Sequence, residues 1–266
     1  MISIESKNNI RIKTFKKLKE KKHRTGEGQF LVEGFRLLEE AFKAGKSVHT
    51  VIYSKDKEED FDRYIRPYLK EEEIISASQE VISELSSTVH PQGIVGVVTM
   101  DLHPENRLSP EDSSSLLVYL DGLQDPGNLG TIIRSVHASG AEGILLGENT
   151  VDPFSEKVIR SSMGSIFYVP IYQNGHQVLD RLMGEGYQLA VTSLEAEKSL
   201  YHENLTGKLI VVIGNEGSGI TEEIASKADV LLKIPMPGGA ESLNAAVAAS
   251  IVLFERVRQR EEVQIL

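Results

Sequence analysis

The sequence predicts an α/β protein in two parts: a small α/β unit followed by a larger one whose sheet is mostly parallel. Three observations carry this. Short β-branched runs alternate with helical runs along most of the chain, the pattern of strands covered by helices. A polar stretch with two prolines and no periodicity, residues 101–114 (DLHPENRLSPEDSS), interrupts the alternation and reads as a linker. The final predicted helix is long and carries an apolar stripe at spacings of three and four.

Residues 1–26 read as a basic arm. The N-terminal unit follows, over 27–100. Its predicted elements are a strand at Gln29–Val32, a helix at Gly34–Ala44 and a strand at Val48–Tyr53, then a helix at Phe61–Lys70. A strand at Ile74–Ser76, a helix at Val81–Leu85 and a strand at Ile94–Met100 complete it. After the linker, over 115–266, come a strand at Leu116–Leu120, a helix at Leu129–Ser139, a strand at Gly143–Leu146 and a helix at Glu156–Ser162. Next are a strand at Ile166–Ile171, a helix at Gln177–Gly184 and strands at Gln188–Thr192 and Leu209–Ile213. A helix at Glu222–Lys227, a strand at Val230–Ile234 and the long helix from Ser242 to about Gln259 close the chain. The stripe on that helix is Leu243, Ala246, Val247, Ser250, Phe254 and Val257.

A length of 266 residues suffices for two such units. The absence of cysteine excludes disulfides, thiolate metal sites and a cysteine nucleophile, and fits a reducing compartment. The N-terminus MISIESKNNIRIK lacks the apolar core of a signal peptide, and no apolar run approaches the roughly 18 residues that cross a bilayer, so a cytoplasmic protein is expected. The seven histidines make no H-x-x-x-H or similar ligand spacing, and no metal is expected. Net charge is −10, but residues 1–26 carry +7. Lys7, Arg11, Lys13, Lys16, Lys17 and Arg24 in this segment are candidates for RNA phosphate contact. A solvated, partly helical tail would have the same composition.

Three stretches in the second half each follow a predicted strand, where open α/β sheets collect ligand loops. The first, LDGLQDPGNLGTIIRS (120–135), puts Asn128 in N-cap position of a helix that carries Arg134. The second, LIVVIGNEGSGI (209–220), runs from an apolar strand into Gly214, Glu216, Gly217 and Gly219. It lacks G-x-G-x-x-G, and its acid suits a cationic or hydroxyl-rich ligand better than a phosphate. The third, IPMPGGAESLNAAVAASIVLFE (234–255), is a stiff loop feeding a helix opened by Ser242 or a neighbour, with Asn244 in its first turn. Taken singly, a capped helix, an ordinary strand-to-helix turn and a second cap account for all three.

Together, in this order and spacing, the three stretches resemble the SpoU/TrmH family of RNA ribose 2′-O-methyltransferases, part of the SPOUT superfamily. The matching residues are Asn128–Leu129–Gly130 with Arg134, then Gly214–Asn215–Glu216–Gly217 with Gly219. The third set is Ile234–Pro235–Met236 with Ser242–Leu243–Asn244 and Ala246. The N-terminal half is similar to the small L30e-like substrate-binding domain of many members. That similarity runs through Phe30–Leu31–Val32–Glu33–Gly34, Arg36 and Glu39, and Val89–His90–Pro91–Gln92–Gly93–Ile94.

The resemblance implies a catalytic domain with a deep trefoil knot, an exception to the rule that chains do not knot. It implies S-adenosyl-L-methionine (SAM) as methyl donor, framed by Thr192, Gly214, Asn215, Gly217, Ile234, Met236 and Leu243. It implies a catalytic set of Asn128, Arg134, Glu216, Ser242 and Asn244. Arg134 would assist loss of the ribose proton or hold the adjacent phosphate, since a guanidinium is a poor base. The partners implied are structured RNA, 23S ribosomal RNA before tRNA, with Arg36 among the contacts, and a second copy of the chain. A non-catalytic RNA-binding or assembly protein is the alternative of a different class. A Rossmann oxidoreductase is disfavoured by the missing glycine fingerprint.

Overall fold

The computed structural model describes residues 2–103, 108, 115–193 and 196–265. Most of the expected linker, residues 104–107 and 109–114, lies outside them. The chain forms two compact units: residues 1–101 with 154–168, and residues 102–153 with 169–266.

The first unit contains β1 (Ile2–Ile4), α1 (Ile10–Lys17), α2 (Lys21–Glu27), β2 (Gln29–Glu33), α3 (Phe35–Lys43), β3 (Val48–Ser54), α4 (Glu58–Tyr64), β4 (Glu73–Ala77), α5 (Gln79–Leu85) and β5 (Ile94–Thr99). Its sheet order is β1-β4-β3-β5-β2, parallel from β1 to β3 and antiparallel through β5. The N-terminal basic segment is built into this unit. Ile2 pairs with Ile75, and Ile12 and Leu18 are buried beside Ile52, Ile75 and Val97. Asn9 caps α1 by accepting from the Arg11 N–H at 2.9 Å. Lysines surround so small an apolar set that composition hides it. The helix expected over Phe61–Lys70 ends at Tyr64, and a 3₁₀ turn at Arg66–Tyr68 follows. Pro67 explains the break, because it has no N–H and disfavours helical backbone before it. Tyr53 and Phe61 stack in the core at 4.1 Å.

The second unit opens with β6 (Leu116–Asp121), α6 (Pro126–Ser139) and β7 (Gly143–Leu146). The chain then enters the first unit through α7 (Glu156–Ser161). It returns with β8 (Ile171–Tyr172), α8 (Gly175–Gly184), β9 (Gln188–Thr192), β10 (Leu209–Gly214), α9 (Glu222–Ala225), β11 (Val230–Leu232) and α10 (Ala245–Ile265). All strands of this sheet are parallel, in the order β11-β9-β10-β6-β7-β8. The α/β architecture with a mostly parallel second sheet is therefore as expected.

The strand expected over Ile166–Ile171 is not formed there. Ser165–Phe167 is a 3₁₀ turn, and the strand is only Ile171–Tyr172. Phe154 and Phe167 instead pack on Phe30 at ring-centroid distances of 4.9 and 6.5 Å. Packing against another element has overridden local β-propensity.

α10 is apolar on two faces. Ala246, Ala249, Val252 and Leu253 are buried, and Ser250 meets Ser135 of α6 at 2.7 Å. Val247 and Phe254 face outward, each 47% exposed. The single stripe read from sequence thus divides, with Ala246 inward and its neighbour Val247 outward. Among the described residues, no helix is long and apolar enough to cross a membrane.

Candidate active site

The chain runs from β6 to β7 and β8 on one side of the sheet, while β10 and β9 lie on the other. The order therefore reverses between β6 and β10, which places a crevice at their carboxyl ends. Gly214 pairs with Asp121 there, so the loops after the two strands start side by side.

The loop after β10 is closed on itself. The Asn215 and Gly219 backbones exchange hydrogen bonds at 2.9 and 3.0 Å, and Asn215 Oδ1 accepts from the N–H groups of Gly217 and Ser218. Its Nδ2 donates to the Gly122 carbonyl at 2.8 Å, and Asp121 accepts from the Thr221 N–H at 2.7 Å. Each loop is therefore tied to the other by a side chain.

Two asparagines have roles opposite to those the sequence suggested. α6 starts at Pro126, and Asp125, not Asn128, is its N-cap, accepting from the Asn128 N–H at 2.8 Å. Proline suits the first helical position because its missing N–H is not needed there. The Asn128 carboxamide is thereby released for other contacts. Asn244, expected inside the next helix, caps α10: its Oδ1 accepts from the N–H groups of Ala246 and Val247 at 3.0 and 3.3 Å. With its oxygen committed, Asn244 Nδ2 donates to Asn128 Oδ1 at 2.8 Å. Asn128 Nδ2 then donates to Glu216 Oε1 at 2.8 Å. The backbone N–H groups of Gln124 and Asp125 donate to the same carboxylate at 3.0 Å each.

This relay has one polarity, from helix cap to carboxylate, and it ends on an acceptor that must be ionised. Partial burial pushes the Glu216 carboxyl up, but the Asn128 amide and the backbone N–H groups of Gln124, Asp125 and Glu216 itself together outweigh it and hold the group below the usual range. A carboxyl with a depressed folded-state pKa stabilises the fold above its unfolded value and loses that contribution as pH falls through the folded one. Glu216→Gln turns an amide donor toward one of these N–H groups. It is expected to cost about 1 kcal/mol at this partly exposed site. In paired thermal melts, the gap between wild type and variant should be widest above pH 4.5 and close below it. An equal gap at all pH values would contradict the assignment.

Between the loops after β9, β10 and β11 and the start of α10 lies a cavity of about 660 Å³. It is lined by Thr192, Gly214, Asn215, Gly217, Ile234, Met236 and Leu243, all seven residues expected at a cofactor, and by Glu216, Ser242 and Asn244. Ile220 and Leu232 add apolar wall. Such a site, with an apolar wall and a convergent polar one, is of the size that takes a cofactor. SAM fits it in chemistry: apolar side chains suit a purine and the methionine chain, Thr192 and backbone suit polar edges, and Glu216 suits a cation.

Arg134 is not among the lining residues. It is exposed and has no hydrogen bond or ion pair among the described residues. Six positions beyond Asn128, it lies about 9 Å along the α6 axis and about 240° around it. Ser242 is exposed at the cavity and likewise has no hydrogen-bond partner among the described residues. Gln124 and Asp125, which sequence reasoning passed over, complete the Glu216 cradle. The D-P dipeptide at Asp125–Pro126 is the cap-then-N1 signal for Asp125; nothing local marks Gln124.

In the first unit, Lys7, Arg11 and Lys16 are ion-paired with Glu80, Glu73 and Glu84. Arg24 is only 5% exposed and donates to the Leu18 and Lys19 carbonyls, so it serves the fold and not a surface. Lys13, Lys17 and Arg36 are exposed, with no ion pair among the described residues.

Residues 115–254 match the SpoU rRNA Methylase family, and residues 9–96 match the MRM3-like substrate binding domain. The chain is 35% identical over 257 residues to the 23S rRNA (guanosine(2553)-2′-O)-methyltransferase RlmP of Bacillus subtilis (strain 168), covering 96% of this chain and 98% of that one. An AdoMet-bound rRNA methyltransferase from Sinorhizobium meliloti superposes with a TM-score of 0.85 at 33% identity, covering 96% of this chain and 97% of its own. The SpoU methyltransferase AviRb from Streptomyces viridochromogenes, in complex with AdoMet, gives 0.87 at 31% identity, covering 96% and 99%. With a cavity at the carboxyl ends of β9, β10 and β11 and these matches along nearly its whole length, the chain belongs to the SpoU rRNA methylase family.

Proposed function

We propose that this protein transfers a methyl group from SAM to a ribose 2′-hydroxyl of 23S ribosomal RNA. The observation that carries the reading is the Asn244–Asn128–Glu216 relay, which ties two residues of the cavity wall, Glu216 and Asn244, to the start of α6 through Asn128. The substrate follows from relatives that share both units of this chain.

SAM supplies a methyl group on a sulfonium, a leaving group that is already activated. The chain's task is to place the 2′-oxygen, exclude water and help its proton leave. Through Asn128 the relay fixes Glu216 and Asn244 in the cavity wall, so the polar edge offered to a ribose is preorganised. The Ser242 hydroxyl, with no internal partner among the described residues, is available to the substrate. Arg134 binds the phosphate beside the target ribose and stabilises alkoxide charge as it develops; a guanidinium is too weak a base to do more alone.

The working enzyme is a homodimer. Val247 and Phe254 on α10, with Leu243 just before it at 37% exposed, present an outward apolar face suited to a second copy. Arg134 of one copy then serves the cavity of the other, which accounts for its distance around α6 from its own relay. The C-terminal unit carries the knot of its family.

Purified protein with tritiated SAM should label protein-free 23S rRNA or the large ribosomal subunit, and leave 16S rRNA and tRNA unlabelled. Digestion should recover the label as a 2′-O-methylnucleoside. Label confined to tRNA, or found on a base, would overturn the assignment.

A further inference from the structure

The two stretches singled out in the N-terminal half, Phe30–Arg36 and Val89–Ile94, meet in the fold. Gly34 has φ of +103°, and the Gln92 carboxamide lies so close that a Cβ on Gly34 would fall 2.6 Å from its Oε1. Gly34 and Gln92 line a cavity of about 540 Å³ within the first unit, together with Arg36, Thr88, Arg160 and Met163.

The charges around this cavity are unequal in their freedom. Arg36 is exposed and has no hydrogen bond or ion pair among the described residues. Arg160 donates to the Ser87 hydroxyl and has no carboxylate partner there. The acids are already engaged. Glu33 accepts from the Ser86 and Thr88 hydroxyls and the Ser87 N–H. Glu39 and Glu40 both hold Lys43 and accept from the Tyr68 and Tyr168 hydroxyls respectively. The three carboxylates keep their charge apart from what Lys43 offsets, but their hydrogen-bond capacity faces these internal donors; the donors left to a ligand are the two guanidinium forks, the groups best matched to phosphate.

Met163 supplies the second, independent feature. It is 64% exposed and has φ of +50°, a conformation rare for a side chain of its size. Such strain persists where the surroundings hold it, and it gathers at binding sites. An exposed apolar side chain beside two guanidinium groups without carboxylate partners is the pairing that an unstacked nucleotide needs, with phosphate outside and base face inside.

We propose that this cavity captures one unstacked nucleotide of the RNA substrate, with Arg36 and Arg160 on its phosphates, Met163 against the base, and the Gln92 and Thr88 side chains at its polar edge. The inference rests on the RNA methyltransferase reading above and names where the substrate is held away from the reacting ribose. Arg160 and Met163 lie in 154–168, the segment that leaves and re-enters the catalytic unit, so capture is linked to that unit by the chain itself.

Filter binding of radiolabelled, in vitro transcribed 23S rRNA to the full-length protein tests this. Arg36→Ala/Arg160→Ala should raise Kd about tenfold or more and reduce the slope of log K against log salt by about 1.4, the value for two single-strand phosphate contacts. SAM affinity should stay unchanged. Met163→Gly should weaken binding with no change in that slope. If the double variant loses SAM affinity and so has lost its fold, Arg36→Glu at the exposed position decides: binding weaker than Arg36→Ala supports the cavity, and equal binding overturns it. A double variant matching wild type in Kd and slope, while wild type methylates 23S rRNA, overturns the cavity alone. A wild type that binds no 23S, 16S or tRNA transcript overturns both this and the function on which it rests.

Discussion

Arg134→Ala is expected to lower kcat by about 10³-fold or more while leaving the Kd for SAM within about twofold of wild type. The separation follows from position. Arg134 is outside the cavity lining, so its loss removes nothing that holds the cofactor. It is exposed on α6 and engaged by nothing among the described residues, so its loss leaves the fold intact. Arg134→Lys keeps the charge but loses the planar fork that grips phosphate, and should remain at least about tenfold impaired. Calorimetry with SAM and single-turnover methylation separate the two effects. Methylation that survives Arg134→Ala would remove the arginine from the mechanism.

The proposed dimer makes this prediction sharper. An Arg134→Ala chain mixed with a Gly214→Ala chain forms heterodimers in half of all dimers. Each such dimer contains one site with both a sound cavity and a sound arginine, provided that the arginine crosses between copies. Activity should return to about one quarter of wild type in a twofold-symmetric dimer. If the arginine served its own chain, every site would be defective and no activity would return.

Gly214→Ala is expected to weaken SAM binding by about 100-fold and to lower Tm by several degrees, at about 2–4 °C per kcal/mol for a chain of this size. A Cβ on Gly214 would lie 2.5 Å from the Gly219 carbonyl carbon and 2.6 Å from its oxygen. These are backbone atoms locked by the Asn215–Gly219 hydrogen bonds, and they cannot swing aside as a side-chain tip would. The strand end is pinned as well, by pairing with Asp121. The loop must open, and with it one wall of the cavity. Gly217→Ala is the control, because its Cβ meets only Asn215 Oδ1 at 3.5 Å, an ordinary contact. Calorimetric titration of both variants with SAM should show a large loss for the first and little for the second. Equal losses would mean that the loop tolerates or fails at both positions for some other reason.

Much of the architecture was legible because strand and helix periods alternate cleanly from Leu116 to Leu232. The seven cofactor candidates that the resemblance implied also gather at one cavity, because they sit in the loops after β9, β10 and β11, neighbours at one side of the sheet. What escaped has physical causes. Caps are read one residue at a time, and the Asn128 and Asn244 roles depend on which neighbour caps first. Asp125 takes α6, and that choice releases Asn128 for the relay. The segment around Ile166 has the composition of a strand, and only its packing on Phe30 shows that it belongs elsewhere. Basic residues 1–26 looked like an arm because charge outnumbers the few apolar residues that anchor it, Ile4, Ile12 and Leu18. Arg36 and Arg160 are 124 positions apart, so nothing in local sequence could bring them to one cavity.

The most direct measurement is a transcript-wide map of ribose 2′-O-methylation in the 23S rRNA of cells with and without this protein. The account predicts that one 23S ribose position loses its methyl group on deletion, regains it with the wild-type chain and stays unmodified with Arg134→Ala. A ribosomal RNA map identical in the presence and absence of the protein would contradict it.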